Sequence, residues 1–168
     1  MTTDIQQLYQ LAEKVGLVLK AGGLMLATAE SCTGGWVGEV VTAIPGSSHW
    51  YDRGFITYTN LAKQEMLGVS AETLAQFGAV SEQTVREMAV GALKNSRAQV
   101  SIAISGIAGP GGATPFKPVG TVCLAWGLEG VCVRSETRHF TGARQEVRAQ
   151  AVQAVLTGIL EILKDLKV

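Results

Sequence analysis

The stretch Leu24-Met25-Leu26-Ala27-Thr28-Ala29-Glu30-Ser31-Cys32-Thr33-Gly34-Gly35 constrains this chain more than any other, because it reads as a buried strand that runs out into polar residues and re-enters order as a helix. Leu24 to Ala27 is apolar without alternation, which suits a strand covered on both faces. Thr33, Gly34 and Gly35 ahead of Trp36-Val37-Gly38-Glu39-Val40-Val41 suit a helix entry. Such a junction exposes backbone N–H groups. Here it does so beside Ser31, at the carboxyl edge of a sheet, where α/β folds hold ligands.

Elements on either side of this stretch alternate between helix and strand. Thr3 and Gln6 have capping-box spacing, and Leu8, Leu11, Ala12, Val15, Val18 and Leu19 form one apolar stripe of a first helix ending at Gly22-Gly23. A helix from about Thr33 to Ala43 is broken by Pro45-Gly46-Ser47-Ser48, and Gly54-Phe55-Ile56-Thr57-Tyr58 is a second strand. Asn60 is the expected cap of a helix running to Leu67, Ser70 of a short one ending near Gly78, and Ser81 of a longer one through Val85, Met88, Ala89 and Ala92.

Gln99 to Ser105 alternates strictly, with Val100, Ile102 and Ile104 on one side and small residues on the other, as expected where a helix packs closely on the small side. Gly106 to Pro118 is too rich in glycine and proline for a regular element. Val119 to Trp126 and Val131 to Arg138 form a hairpin around Gly127-Leu128-Glu129-Gly130, and Gly142 to Leu166 is a long helix with Val147, Ala151, Ala154, Val155, Ile159 and Ile162 inward. The order predicts an α/β fold with helices on both faces of a mixed sheet.

Length and composition narrow the partners. A chain of 168 residues with 47% hydrophobic residues is most simply one domain over 1–168 that buries a core without staples. Lys plus Arg and Asp plus Glu are 14 each, and a zero balance argues against a nucleic-acid binder while leaving room for a small anion held by an arginine. Cys32, Cys123 and Cys132 have unrelated spacings and read as reduced thiols. With no apolar run near the ~20 residues of a membrane span and no leader pattern at Met1-Thr2-Thr3, the expected location is the cytoplasm, away from membranes.

Several chemical motifs fail. Gly112 to Lys117 lacks the Gly-Lys-Ser/Thr ending of a phosphate loop, Gly109-Pro110-Gly111 lacks a third glycine, and Ala103 stands where a nucleophile elbow ending at Ser105 needs glycine. His49 and His139 are too isolated to suggest a metal. Without a histidine base, a serine nucleophile needs another partner, and a lysine kept neutral by burial can serve. Lys63 is the candidate if the strands ending near Ser31 and Tyr58 are neighbours; its other reading is a solvated helix lysine.

Ser31 is equally a possible helix cap, the commoner use of serine there, and Cys32 is a rival nucleophile. Glu30 either orients a substrate or a lysine, or favours the helix N-terminus. Tyr58 either relays a proton or packs. The loop after Ser105 either brings N–H groups to an anion or is a plain connection.

Thr28-Ala29-Glu30-Ser31-Cys32-Thr33-Gly34-Gly35, Gly54-Phe55-Ile56-Thr57-Tyr58 with Asn60 and Lys63, Gly78-Ala79-Val80-Ser81, Ser105-Gly106-Ile107-Ala108-Gly109-Pro110-Gly111-Gly112 and Lys117-Pro118-Val119-Gly120-Thr121-Val122 together resemble the CinA C-terminal family, in order and over nearly the whole chain. The resemblance implies a three-layer α/β/α sandwich with a mixed, mostly parallel sheet of about five strands, commonly a homodimer. It implies the activity of the stand-alone nicotinamide-nucleotide amidases, with no metal or organic cofactor: nicotinamide mononucleotide is converted to nicotinic acid mononucleotide and ammonia. Ser31 and Lys63 would carry the reaction, with Tyr58 assisting and oxyanion donors near Thr33 and Gly34. Glu30, Cys32, Thr33, Gly34, Gly35, Asn60, Ser105, Gly106, Ile107, Ala108 and Gly109 are the expected substrate contacts, and Arg144 or the loop at Gly106 to Gly112 would meet the phosphate.

Overall fold

The strand read at Leu24 to Ala27 lies deeper in the chain, as β1 (Leu26–Glu30), and every residue of it is buried. In the computed structural model, which describes residues 3–165, it is followed by β2 (Tyr51–Ile56), β3 (Val100–Gly106), β4 (Thr121–Leu128) and β5 (Val131–His139). The five form one sheet in the order β2-β1-β3-β4-β5. Pairs β1·β2 and β1·β3 are parallel, and β3·β4 and β4·β5 antiparallel, so β4 alone runs against the other four.

Helices α1 (Ile5–Ala21), α2 (Trp36–Thr42) and α6 (Arg144–Asp165) cover one face, where Leu8, Val15, Val40, Val152 and Ile159 pack with Ile102, Leu124 and Trp126. Helices α3 (Asn60–Leu67), α4 (Ala71–Phe77) and α5 (Glu82–Lys94) cover the other, over Ala27, Ala29, Ala103 and Ala125. The three-layer sandwich follows from the alternation along β3, whose small side does receive a helix: Ser101 Oγ donates to the Ala89 carbonyl of α5 at 2.7 Å. On the bulky side the Trp126 indole donates to Val155 O at 2.9 Å, and a Cβ at Gly158 would overlap that ring.

Several boundaries move, each for a local reason. Asp4, not Thr3, caps α1 by accepting from Gln6 N. Thr59, not Asn60, caps α3 by accepting from Ala62 N at 3.0 Å, and Asn60 becomes the first helical residue. The strand β2 begins at Tyr51, and α2 begins only at Trp36 because Gly35 (φ 99°) still turns the chain. The β4–β5 turn takes two residues rather than four: Glu129 and Gly130 both have positive φ, 49° and 87°, the pairing that suits a right-twisted hairpin. Met1, Thr2 and the expected helix end at Leu166 lie outside the described residues. No helix among the described residues is long and apolar enough to cross a membrane.

Candidate active site

Parallel pairing of β1 with β2 sets the site. Glu30 is the register partner of Ile56, so the residues just beyond, Ser31 and Thr57, leave the sheet side by side. Ser31 N–H donates to Ile104 O of β3, and Thr57 N–H to Glu30 O, which pins both strand ends. The chain then turns after Thr57 and enters α3, and Lys63 comes back over the same edge. Its Nζ lies 3.0 Å from Ser31 Oγ and 2.9 Å from Thr57 O.

Lys63 is 1% exposed and Ser31 7%. No carboxylate lies within ion-pairing distance of Lys63 among the described residues. Burial therefore pushes the Lys63 ammonium below its ordinary pKa. The reading of Lys63 as a solvated helix lysine is excluded by this burial. Burial also pushes the Cys32 thiol up to about 11, against the pull of Arg148, so Cys32 remains a thiol near neutral pH.

Around this pair lies a cavity of about 180 Å3, lined by Ser31, Cys32, Tyr58, Asn60, Lys63, Ser105, Gly106, Ala108 and Arg144, together with Ala79 and Val80. Nine of the residues singled out in the sequence thus meet at one place. Ala79 and Val80 are additions, although their block Gly78 to Ser81 was among those that carried the resemblance.

Other expected contacts have different work. The Glu30 carboxylate is 2% exposed and accepts from Thr33 Oγ1 at 2.7 Å and from the N–H groups of Val37 and Gly38 at 2.9 and 3.1 Å. It caps α2 from the strand below instead of orienting substrate or lysine. Burial raises its pKa while these donors pull it down. Thr33 is buried behind that cap, Gly35 turns the chain against Ile56, and Gly34 N–H is committed to Ser31 O at 3.0 Å, so Gly34 is not a free oxyanion donor. The N–H groups of Cys32 and Thr33 donate to no other described residue.

Tyr58 does not sit between Ser31 and Lys63: it is 61% exposed and its hydroxyl accepts from Arg144 Nη2 at 3.2 Å. Arg144 Nη1 donates to Gly109 O at 2.9 Å and so ties the glycine-rich loop to the cavity rim. Ile107 N–H and C=O are both paired with the start of β4, at Thr121 O and Gly120 N, so this part of the loop is a fixed wall and not an open anion nest. Ile107 and Gly109 do not line the cavity.

Arg148 was not singled out in the sequence. One turn beyond Arg144 on the same face of α6, it donates to Cys32 O at 3.0 Å and Thr33 O at 3.2 Å and lies over the Trp36 ring at 5.4 Å. The four-residue spacing from Arg144 was the available signal. No group of three or more histidine, cysteine or acidic side chains gathers as a metal site among the described residues.

A buried serine–lysine contact on the carboxyl edge of the sheet in a three-layer α/β sandwich, under a short strand-to-helix turn, marks this cavity as the candidate active site. The chain matches the CinA C-terminal domain model over residues 8–163, and it belongs to that family. It is 55% identical over 153 residues to the nicotinamide-nucleotide amidohydrolase PncC of Escherichia coli (strain K12), covering 89% of this chain and 91% of that protein. It is 47% identical over 161 residues to the protein of the same name from Enterobacter agglomerans, covering 95% and 98%. The fold superposes on the crystal structure of a CinA superfamily protein from Klebsiella pneumoniae with a TM-score of 0.91, at 40% identity over 94% of this chain and 98% of that one.

Proposed function

We propose that this chain hydrolyses the carboxamide of nicotinamide mononucleotide, giving nicotinic acid mononucleotide and ammonia, with Ser31 as nucleophile and Lys63 as general base. The observation that carries the reading is the 3.0 Å contact between Lys63 Nζ and Ser31 Oγ, made by a lysine that is 1% exposed and has no carboxylate partner among the described residues. The names of the similar amidohydrolases supply the substrate.

A neutral Lys63 accepts the Ser31 proton while Thr57 O holds one of its N–H groups and so aims the lone pair at Oγ. Oγ attacks the amide carbon. The oxyanion is met by the unengaged N–H groups of Cys32 and Thr33, in place of Gly34, and each such donor contributes ~3 kcal/mol to lowering the barrier. Arg148 holds the carbonyls of Cys32 and Thr33, and so fixes the peptide that carries the Thr33 N–H, whose direction is opposite to that of the Cys32 C=O. The Lys63 ammonium returns its proton to the departing nitrogen, ammonia leaves, and water, deprotonated in turn by Lys63, releases the acyl group from Ser31.

Ammonia release from nicotinamide mononucleotide is the test. Ser31→Ala is expected to abolish it, at least ~1,000-fold below the wild type, while Cys32→Ala retains it. Binding of the nucleotide without ammonia release would make the chain a nucleotide-binding module and end the amidase reading; undiminished turnover in Ser31→Ala would remove Ser31 from its role.

A further inference from the structure

The cavity at Ser31 is small for its proposed ligand, and it has a larger neighbour. At about 180 Å3 it accommodates the reacting end of a nucleotide, since sites that enclose a whole ligand usually offer roughly 300 Å3 or more. A second cavity, of about 590 Å3, opens beside it on the face covered by α5. Val80 lines both. Ser105 on the wall of the first is the register partner of Cys123 on the wall of the second. Directly opposed residues of an antiparallel pair carry their Cβ atoms on one face about 5 Å apart. One row of side chains therefore separates the cavities, and the segment Gly78 to Ser81 passes over both.

The larger cavity contains a cation with donors to spare. Lys117 Nζ donates to Phe77 O at 2.8 Å and pairs with no carboxylate among the described residues, which leaves two of its three N–H donors for a ligand. The acid in the same cavity is already engaged: Glu82 accepts from Ser135, Thr137 and Arg86. Arg144, the cation of the smaller cavity, is tied to Gly109 O and the Tyr58 hydroxyl.

We infer that the larger cavity is the subsite for the phosphate of the nucleotide whose carboxamide lies at Ser31, with Lys117 as its counter-ion; this rests on the amidase reading above. The pyridine ring occupies the smaller cavity, the ribose crosses between Val80 and Ser105, and the phosphate takes the free ammonium donors in charge-assisted hydrogen bonds. This places the phosphate away from Arg144 and the glycine-rich loop, the positions that the sequence suggested.

The experiment compares kcat/KM for nicotinamide mononucleotide and for nicotinamide riboside, which lacks only the phosphate, in the wild type, Lys117→Met, Lys117→Arg and Arg144→Met. The nucleotide-to-nucleoside ratio is expected to fall at least ~10-fold in Lys117→Met, as for a lost hydrogen bond to a charged group, and to be kept in Lys117→Arg. A ratio unmoved in Lys117→Met, or one that falls only in Arg144→Met, overturns the assignment. If the wild type releases ammonia from neither compound the amidase reading fails, and calorimetry with nicotinamide mononucleotide decides the subsite separately. Weaker binding by Lys117→Met than by the wild type supports it; equal binding, or none by the wild type, overturns it.

Discussion

The two faces of the sheet are built from the same strands and from opposite kinds of residue. Towards α1, α2 and α6 the strands present Leu26, Val100, Ile102, Ile104, Val122, Leu124 and Trp126; towards α3, α4 and α5 they present Ala27, Ala29, Ala103, Cys123 and Ala125. The bulky face removes more apolar area from water per residue and so carries more of the stability. The small face lets α5 approach closely and leaves short polar side chains, Ser105 and Thr121, at the carboxyl edge, where both cavities open. One sheet thus divides the two tasks by its pleat.

The sharpest way to break this comparison is to hollow out the bulky face. Trp126→Ala is expected to cost about 3–5 kcal/mol in urea unfolding, because it removes the largest fully buried side chain and its bond to Val155 O, while kcat of the folded variant is retained. A parallel loss of kcat would show that the faces are not independent. Lys63→Met should do the reverse: ammonia release falls at least ~100-fold, about 2.7 kcal/mol in the barrier, with a smaller change in stability. A normal rate in that variant would make Lys63 a structural residue. On the small face, Ala103→Leu should destabilise by about 1–3 kcal/mol through overpacking against α5, read from the same urea midpoints; a neutral outcome would mean that the alanines leave slack under the helix.

The smallest effect is a slope. Lys63 is held below its ordinary pKa of 10.5 by burial, so between its folded and unfolded values the folded chain binds fewer protons than the unfolded one. Stability then rises with pH across that window, by at most about 1.4 kcal/mol per pH unit, and this gain is absent below the folded pKa. Subtracting the unfolding free energy of Lys63→Met from that of the wild type at each pH isolates the term. A difference that is flat or falls as pH approaches 10.5 would place the lysine in water. The same deprotonation should give the rising limb of kcat/KM against pH.

Much of this was legible in the chain. The alternation of Val100 to Ser105 announced a helix over the small side, and α5 lies there. The caps Ser70 and Ser81 are legible in sequence because each acts within three residues of itself. Thr59 and Asn60 have the same capping capability in sequence, and only the backbone angles make Thr59 the cap. Glu30 admitted two uses, and the choice depended on α2 folding back over the strand end to offer Val37 and Gly38 N–H. Arg148 meets Cys32 O and Thr33 O, and Lys117 meets Phe77 O, across stretches of chain over which periodicity carries no signal.

What the sequence by itself determined was the set of elements, the side of each that turns inward, and the turn at Ser31, because spacing of two or of three and four is a property of consecutive residues and needs no partner. What only the tertiary structure decided was who meets Ser31. The parallel register of Glu30 with Ile56 brings Thr57 beside it, and the return of α3 then places Lys63 Nζ between Ser31 Oγ and Thr57 O. Pairing across strands is settled by how whole faces bury against one another, so the register of β1 with β2, and with it the meeting of Ser31 and Lys63, is not a property of either strand alone.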